Sequence, residues 1–169
     1  SYAAQSGKPP RILVVYFSTP ETDNPHNMTR EEENSTVVIN GKVLGNTQYV
    51  AQLIQEMTGG DIFRILPQKP YPTDHRTLVD LAKEEQDQDA RPAIQGKIES
   101  PEAYDTIFIG YPNWWGDMPM ILYSFLEQYD FSGKTLIPFC THGGSGFSRT
   151  IRTMQDKQPG ATVIRNGYS

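Results

Sequence analysis

Two short loops carry the residue types best suited to binding a flat ligand. They are Pro112-Asn113-Trp114-Trp115-Gly116-Asp117 and Thr141-His142-Gly143-Gly144-Ser145-Gly146-Phe147. Each loop follows an apolar run typical of a strand and precedes a run typical of a helix. In an open α/β sheet, ligands bind outside the carboxyl ends of the strands. A rim with paired indoles on one side and glycines on the other therefore suits a flat aromatic cofactor.

A third candidate lies where the first helix is predicted to begin. Gly45-Asn46-Thr47 stand at that point, and backbone N–H groups at a helix start have no intrahelical partner. Together with the helix dipole, these groups favour a phosphate. Ser18 follows the first predicted strand and is expected at the same place. The alternative is that Gly-Asn-Thr is an ordinary helix cap.

Strands alternate with helices at the spacing of a doubly wound parallel sheet. Apolar, β-branched runs predict five strands, at 11–17, 61–66, 105–111, 135–140 and 161–165. Helical periodicity predicts helices at 46–57, 77–90, 120–129 and 148–158. The predicted fold class is therefore α/β, with a five-stranded parallel sheet.

The length of 169 residues suits one sizeable core and is too short for two ordinary domains. We predict a single domain over 11–169, preceded by a disordered or processed segment at 1–10. The chain ends directly after the fifth predicted strand, so we expect a C-terminal helix to be absent from this chain. A parallel sheet is normally buried on both faces, so a further segment or another chain, as in a dimer, would cover that face.

The connection from the first strand to the first helix is much longer than the usual ~2 to 6 residues. Within this insertion at 19–44, Asn40-Gly41 stands between two apolar runs, which is the strongest short signal for a β-hairpin. The insertion is either a surface hairpin or a lid over the site.

Charge and composition exclude several function classes. The chain has 15 basic and 20 acidic residues, a formal charge of -5 and no cluster of Lys or Arg, which argues against nucleic acid and anionic membranes as partners. No stretch approaches the ~20 apolar residues of a membrane helix. The single Cys140 lies in an apolar run and is expected to be buried. His26 and His75 have no partnering pattern, so we predict no metal site.

Two other functions on an α/β fold are disfavoured. Ser145 lies in a glycine-rich turn, but Phe147 stands where the hydrolase pattern Gly-x-Ser-x-Gly needs its second glycine. His142 is on the same loop, whereas hydrolase partners normally come from later strands. A phosphoacceptor domain would need acidic residues at the first and third strand ends, where Phe17-Ser18 and Tyr111-Pro112 stand.

Taken together, the motifs from Arg11 onward resemble the flavodoxin family, in particular its members with an extended first loop. The segments that carry the resemblance are Tyr71-Pro72, Tyr104-Asp105, Gly110-Tyr111-Pro112, Trp114-Trp115-Gly116, Pro119, Phe125-Leu126, Ser132-Gly133-Lys134 and Thr141-His142-Gly143-Gly144-Ser145. The resemblance implies a flavodoxin-like doubly wound sheet with the strand order 2-1-3-4-5 and FMN as the cofactor.

The resemblance also implies which residues bind FMN. The phosphate would be held near the first helix, commonly without a lysine or arginine, although Lys42 is close enough in sequence to contribute. One of the two indoles would lie against the flavin ring and the other in the core. His142 would contact flavin or substrate, or else be satisfied by nearby backbone. The implied cofactor-binding residues are Ser18, Asn46, Thr47, Pro112, Asn113, Trp114, Trp115, Gly116, Thr141, His142, Gly143, Gly144 and Phe147.

The implied function is electron transfer or flavin-dependent redox chemistry, with a redox partner protein or a small-molecule acceptor. The alternatives are a quinone or nitro-compound reductase, and a non-catalytic module that docks a partner on its indole rim. Whether the chain is an electron carrier or an enzyme stays open at this stage, as does its oligomeric state. We expect the cytoplasm, with export after removal of an N-terminal signal as the alternative.

Overall fold

The computed structural model describes residues 9–19, 36–39, 42–142 and 144–167, with the backbone alone over 36–39 and 42–44. Most of the predicted segment 1–10 and of the insertion 19–44 lies outside these residues, as do Asn40, Gly41 and Gly143. The side chain of Lys42 lies outside them too.

Strands and helices alternate along the described residues. The strands are β1 Ile12–Tyr16, β2 Thr36–Ile39, β3 Lys42–Gly45, β4 Asp61–Arg64, β5 Leu66–Pro67, β6 Ile94–Gln95, β7 Thr106–Pro112, β8 Thr135–Thr141 and β9 Thr162–Val163. The helices are α1 Asn46–Thr58, α2 His75–Asp87, α3 Met120–Gln128 and α4 Thr150–Lys157, with a short 3₁₀ turn at Pro101–Ala103.

Five of the strands form one parallel sheet in the order β4-β1-β7-β8-β9. This order is 2-1-3-4-5 among the parallel strands, which confirms the fold class. The central strands β1 and β7 are almost wholly buried, because their apolar residues face helices on both sides. The carboxyl ends of β1, β7 and β8 therefore meet at one edge of the sheet.

The two faces of the sheet have separate cores. On one face, Ala51 and Ile54 of α1 pack against Val14, Tyr16 and Phe108. On the other face, a larger cluster joins the sheet to α3 and α4. None of the helices in the described part of the chain is long and apolar enough to cross a membrane.

The structure departs from the predicted elements around the second parallel strand. This strand was predicted to reach Leu66, but β4 ends at Arg64, and β5 pairs with β6 in a separate antiparallel sheet. Pro67 has no N–H to donate, which suits such a short edge. Helix α2 begins at His75, earlier than predicted, because the Asp74 side chain caps it by accepting from the N–H of Thr77 at 2.9 Å. The strands β2 and β3 pair antiparallel, as the predicted hairpin requires.

Candidate functional site

Ser18 lies against the start of α1, so the described ends of the long connection meet. A Cβ placed on Gly45 would stand 2.0 Å from Ser18 Oγ, so a larger residue here would force the Ser18 hydroxyl to turn away. Gly45 is the extended residue before α1, and as a glycine it has no side chain with which to cap this helix. Ser18 is buried. Ser18 therefore lies where the first backbone N–H groups of α1 begin, the place at which a helix start favours an anion.

Thr47 and Thr141 join α1 to the end of β8. Their Oγ1 atoms lie 2.8 Å apart, and Thr47 is only 2% exposed. A hydroxyl has one donor and two acceptor positions, so the threonine that accepts this bond keeps its proton for another acceptor. A cavity of about 390 Å³ lies beside the pair, lined by Asn46, Tyr49, Val50, Phe139, Cys140, Thr141 and His142. Its volume falls within the range of ~300 to 1,000 Å³ usual for small-molecule sites.

Asn113 connects the two candidate loops. Its backbone N–H donates to the carbonyl of Thr141 at 2.8 Å, and its Nδ2 donates to the carbonyl of Gly146 at 2.9 Å. Its Oδ1 accepts from the N–H of Gly116 at 3.0 Å, which closes the turn of its own loop. Pro112 pairs with Thr141 in the sheet. Asn113 therefore holds the rim together, with both ends of its amide used within the protein.

Trp114 is the indole that packs in the core. Its ring meets Phe17 and Tyr71 edge to face, with centroids 5.5 Å apart in each pair. Such a geometry contributes about 0.5 to 1.5 kcal/mol beyond the burial itself. Trp114 thus supports the rim from below, partly buried against the larger core cluster.

Trp115 is the indole at the surface of the rim, with 51% of the residue exposed. Its Nε1 donates to the carbonyl of Val79 on α2 at 3.1 Å, and Lys83 Nζ lies 5.6 Å from its ring centroid. Trp115 and Gly116 both have positive φ, 55° and 79°, which turns the indole outward and over α2. A second cavity, of about 300 Å³, lies between this indole and α2.

The glycine loop presents backbone rather than side chains. Gly144 and Gly146 have φ values of 114° and 64°, which are open to glycine and strained for other residues. The N–H of Gly144 donates to His142 Nδ1 at 2.9 Å, so nearby backbone satisfies one nitrogen of this exposed histidine. Phe147 packs against the core. The loop therefore offers backbone groups and the other nitrogen of His142.

Asp117 is a site-supporting residue that the sequence analysis missed. It is fully buried, and Oδ1 accepts from Thr153 Oγ1 at 3.0 Å and from the N–H of Met118 at 2.8 Å. Oδ2 lies 3.2 Å from Arg149 Nε and accepts a short hydrogen bond from the Tyr123 hydroxyl. Burial, helped by this carboxylate, raises the pKa of Tyr123. Asp117 thus anchors the indole loop on α3 and α4.

Cys140 is buried in β8 beneath the first cavity, as expected for a strand residue. Burial raises the pKa of its thiol to about 12. No group of three or more His, Cys, Asp or Glu within the described residues could hold a metal ion.

The fold and this edge define a class: open α/β proteins whose ligand edge is built by the loops after the first, third and fourth strands of the parallel sheet. Residues 36–168 match the flavodoxin family. The chain belongs to that family. A search of curated proteins finds no match.

Solved structures agree with this family. A candidate flavoprotein of Bacteroides uniformis is 32% identical, with a TM-score of 0.68, 96% of this chain covered and 94% of that one. A second, from Bacteroides eggerthii, is 28% identical at a TM-score of 0.67, covering 92% of this chain and 86% of that one. A flavoprotein of Lactobacillus acidophilus, solved in complex with FMN, is 19% identical at a TM-score of 0.67, covering 92% of this chain and 91% of that one. At that identity it shares the fold.

Proposed function

We propose that this chain binds FMN at the carboxyl edge of its sheet and acts as a flavin-dependent redox protein. The observation that carries the proposal is the close approach of Ser18 to Gly45 at the start of α1, within a chain that belongs to the flavodoxin family. The Lactobacillus acidophilus structure in complex with FMN is consistent with it.

The residues at this edge fit the two parts of FMN. For the phosphate, Ser18, Asn46 and Thr47 stand with the first backbone N–H groups of α1, which favour an anion. For the flavin ring, Trp115 offers an exposed aromatic face, and Gly144 and Gly146 allow a close backbone approach. In this proposal Thr141 and His142 flank the ring on the side away from Trp115.

The protein's contribution would be binding and orientation, since FMN supplies the reversible uptake of electrons when it is bound. Asn113 fixes the spacing of the two loops through its bonds to Thr141 and Gly146. Trp114 and Asp117 hold the indole loop from beneath. The rim is therefore positioned before any ligand arrives, which lowers the entropic cost of binding.

The alternative is a module of the same fold that docks a partner on its indole rim and binds no flavin. The test is a titration of the purified chain with FMN, followed by visible absorption and flavin fluorescence, and then reduction with dithionite. We expect saturable quenching, a shifted absorption band and reversible bleaching. A folded sample that leaves the FMN spectrum unchanged would contradict the proposal.

A pair of variants tests the location of the ring. Trp115→Ala removes the exposed indole, whereas Ser145→Ala changes a loop residue that is exposed and lies in no cavity lining near the indole. We expect Trp115→Ala to weaken FMN more than Ser145→Ala does. Equal affinities would mean that the ring lies elsewhere on the edge.

A further inference from the structure

Arg64 brings a positive charge to the phosphate end of the candidate site. It is the last residue of β4 and pairs in register with Tyr16 of β1, so both side chains lie on the face of the sheet that α1 covers. The carbon of its guanidinium lies 5.7 Å from the Tyr16 ring centroid. Its Nη2 donates to the backbone carbonyl of Ser18 at 3.3 Å. The guanidinium thus touches the residue that meets Gly45 at the start of α1.

This guanidinium has no counter-charge within the described residues. Arg11, Arg91 and Arg149 each pair with a carboxylate, whereas no described carboxylate pairs with Arg64. Its Nε is buried and has no hydrogen-bond partner among the described residues. Partial burial removes water from the charge, and its described contacts, the Tyr16 ring and the Ser18 carbonyl, carry no full negative charge. An anion at this place would therefore be favoured.

The groups around Arg64 belong to the same corner of the fold. Gln48, in the first turn of α1, lies near the Tyr16 hydroxyl, and Arg64 contacts the ring of the same tyrosine. Arg64, Tyr16 and Gln48 therefore form a polar cluster between β1, β4 and the start of α1. An anion at the start of α1 would meet the helix dipole and the Arg64 charge together.

We propose that Arg64 is the cation that makes this site selective for a phosphorylated flavin over the same flavin without phosphate. The inference rests on the proposed function. A phosphate monoester carries about -1.5 to -2 charges at neutral pH, and riboflavin carries none at that position. Arg64 acts on the phosphate through its charge and positions Ser18 through the hydrogen bond to its carbonyl.

The experiment compares the dissociation constants of FMN and riboflavin for the full chain and its variants, measured by quenching of flavin fluorescence. In Arg64→Gln, we expect the preference for FMN over riboflavin to fall by about tenfold, as for the loss of one charge-assisted contact. Arg64→Lys keeps the charge without the planar guanidinium, so its preference for FMN should lie between those of the unaltered chain and Arg64→Gln. Arg11→Gln is the matched control, because Arg11 precedes β1 at the opposite end of the sheet, exposed and paired with Asp61.

The preference itself, rather than affinity alone, decides the outcome. If Arg64→Gln weakens FMN and riboflavin equally, Arg64 only supports the fold and the inference is overturned. If the unaltered chain binds neither flavin, the proposed function itself is contradicted, and this outcome is distinguishable from a failure of the inference about Arg64. If Arg64→Gln does not fold, the test uses the unaltered chain at increasing salt concentration. Its preference for FMN over riboflavin is then expected to fall as salt concentration rises. A preference independent of salt overturns the inference.

Discussion

Gly45 and Ser18 approach so closely that a side chain on Gly45 would meet the Ser18 hydroxyl. A Cβ on Gly45 would stand 2.0 Å from Ser18 Oγ but 3.4 Å from Ser18 Cβ. Rotation of the Ser18 hydroxyl therefore relieves the clash, but the hydroxyl then points in a different direction. We expect Gly45→Ala to weaken FMN by about tenfold, as for one lost hydrogen bond to a charged group, with little change in the free energy of unfolding.

Ser18→Ala provides the control for that prediction. If the effect of Gly45→Ala passes through the hydroxyl, the double variant should bind FMN no more weakly than Ser18→Ala alone. Additive losses of affinity would show that the added methyl group acts on the backbone instead.

Valine variants of Thr47 and Thr141 can distinguish a structural role of their hydroxyl groups from a role in binding. Thr47→Val and Thr141→Val remove the same hydrogen bond, so each should lower the free energy of unfolding by about 1 kcal/mol. Only Thr47→Val should also lower the affinity for FMN relative to riboflavin. Urea unfolding and the two flavin titrations measure these effects. Equal changes in flavin preference for both variants would remove Thr47 from the phosphate site.

The buried carboxylate of Asp117 should matter far more to stability than its ion pair with Arg149. Asp117→Asn disturbs the bonds from Tyr123 and Thr153, and we expect a loss of about 2 kcal/mol or more. Arg149 keeps 59% of its side chain exposed, so Arg149→Gln should cost less than ~1 kcal/mol. Urea unfolding of the two variants measures both losses, and similar losses would contradict this ranking.

Glu127 should make stability sensitive to acid. Arg91 and Lys157 hydrogen-bond to its carboxylate and lower its pKa to about 2 in the folded chain, from the usual value of ~4.3. The unfolded chain therefore binds more protons between these values, and the contribution of Glu127 is lost as pH falls through this window. Since the carboxylate is largely exposed, we expect less than ~1 kcal/mol.

The comparison for this prediction is Glu127→Gln, with unfolding followed from neutral to acidic pH. The stability of the unaltered chain should approach that of the variant as pH falls. A constant difference across that window would mean that Arg91 and Lys157 do not hold the folded carboxylate in its charged form.

Local pattern determined what the sequence could predict. The continuous apolar runs of β1 and β7 and the helical period of α1 are visible within single segments, and the strand order followed from the family resemblance. Contacts between distant segments were not visible: nothing near Asp117 indicates Arg149 or Thr153. The two-residue strands β5 and β6 are too short to show a period, and the choice of Trp114 for the core depends on Phe17 and Tyr71.

Arg64 shows the same limit at the candidate site itself. In the sequence it is one arginine at the end of an apolar run, and its nearness to Ser18 exists only because β4 pairs in parallel with β1. The three loops could be proposed as a site from their residue types, whereas the proposal for Arg64 required the register of the sheet.

The reactivity of Cys140 can report how accessible the structure around it becomes. It is the single thiol of the sequence, it lies buried in β8 under the cavity beside α1, and its pKa of about 12 keeps it unreactive while it stays covered. A thiol reagent should therefore label the protein slowly, through the cavity that Cys140 lines or when this corner opens. The labelling rate, recorded with and without flavin, would report how accessible this corner of the fold is, with no dye or added cysteine.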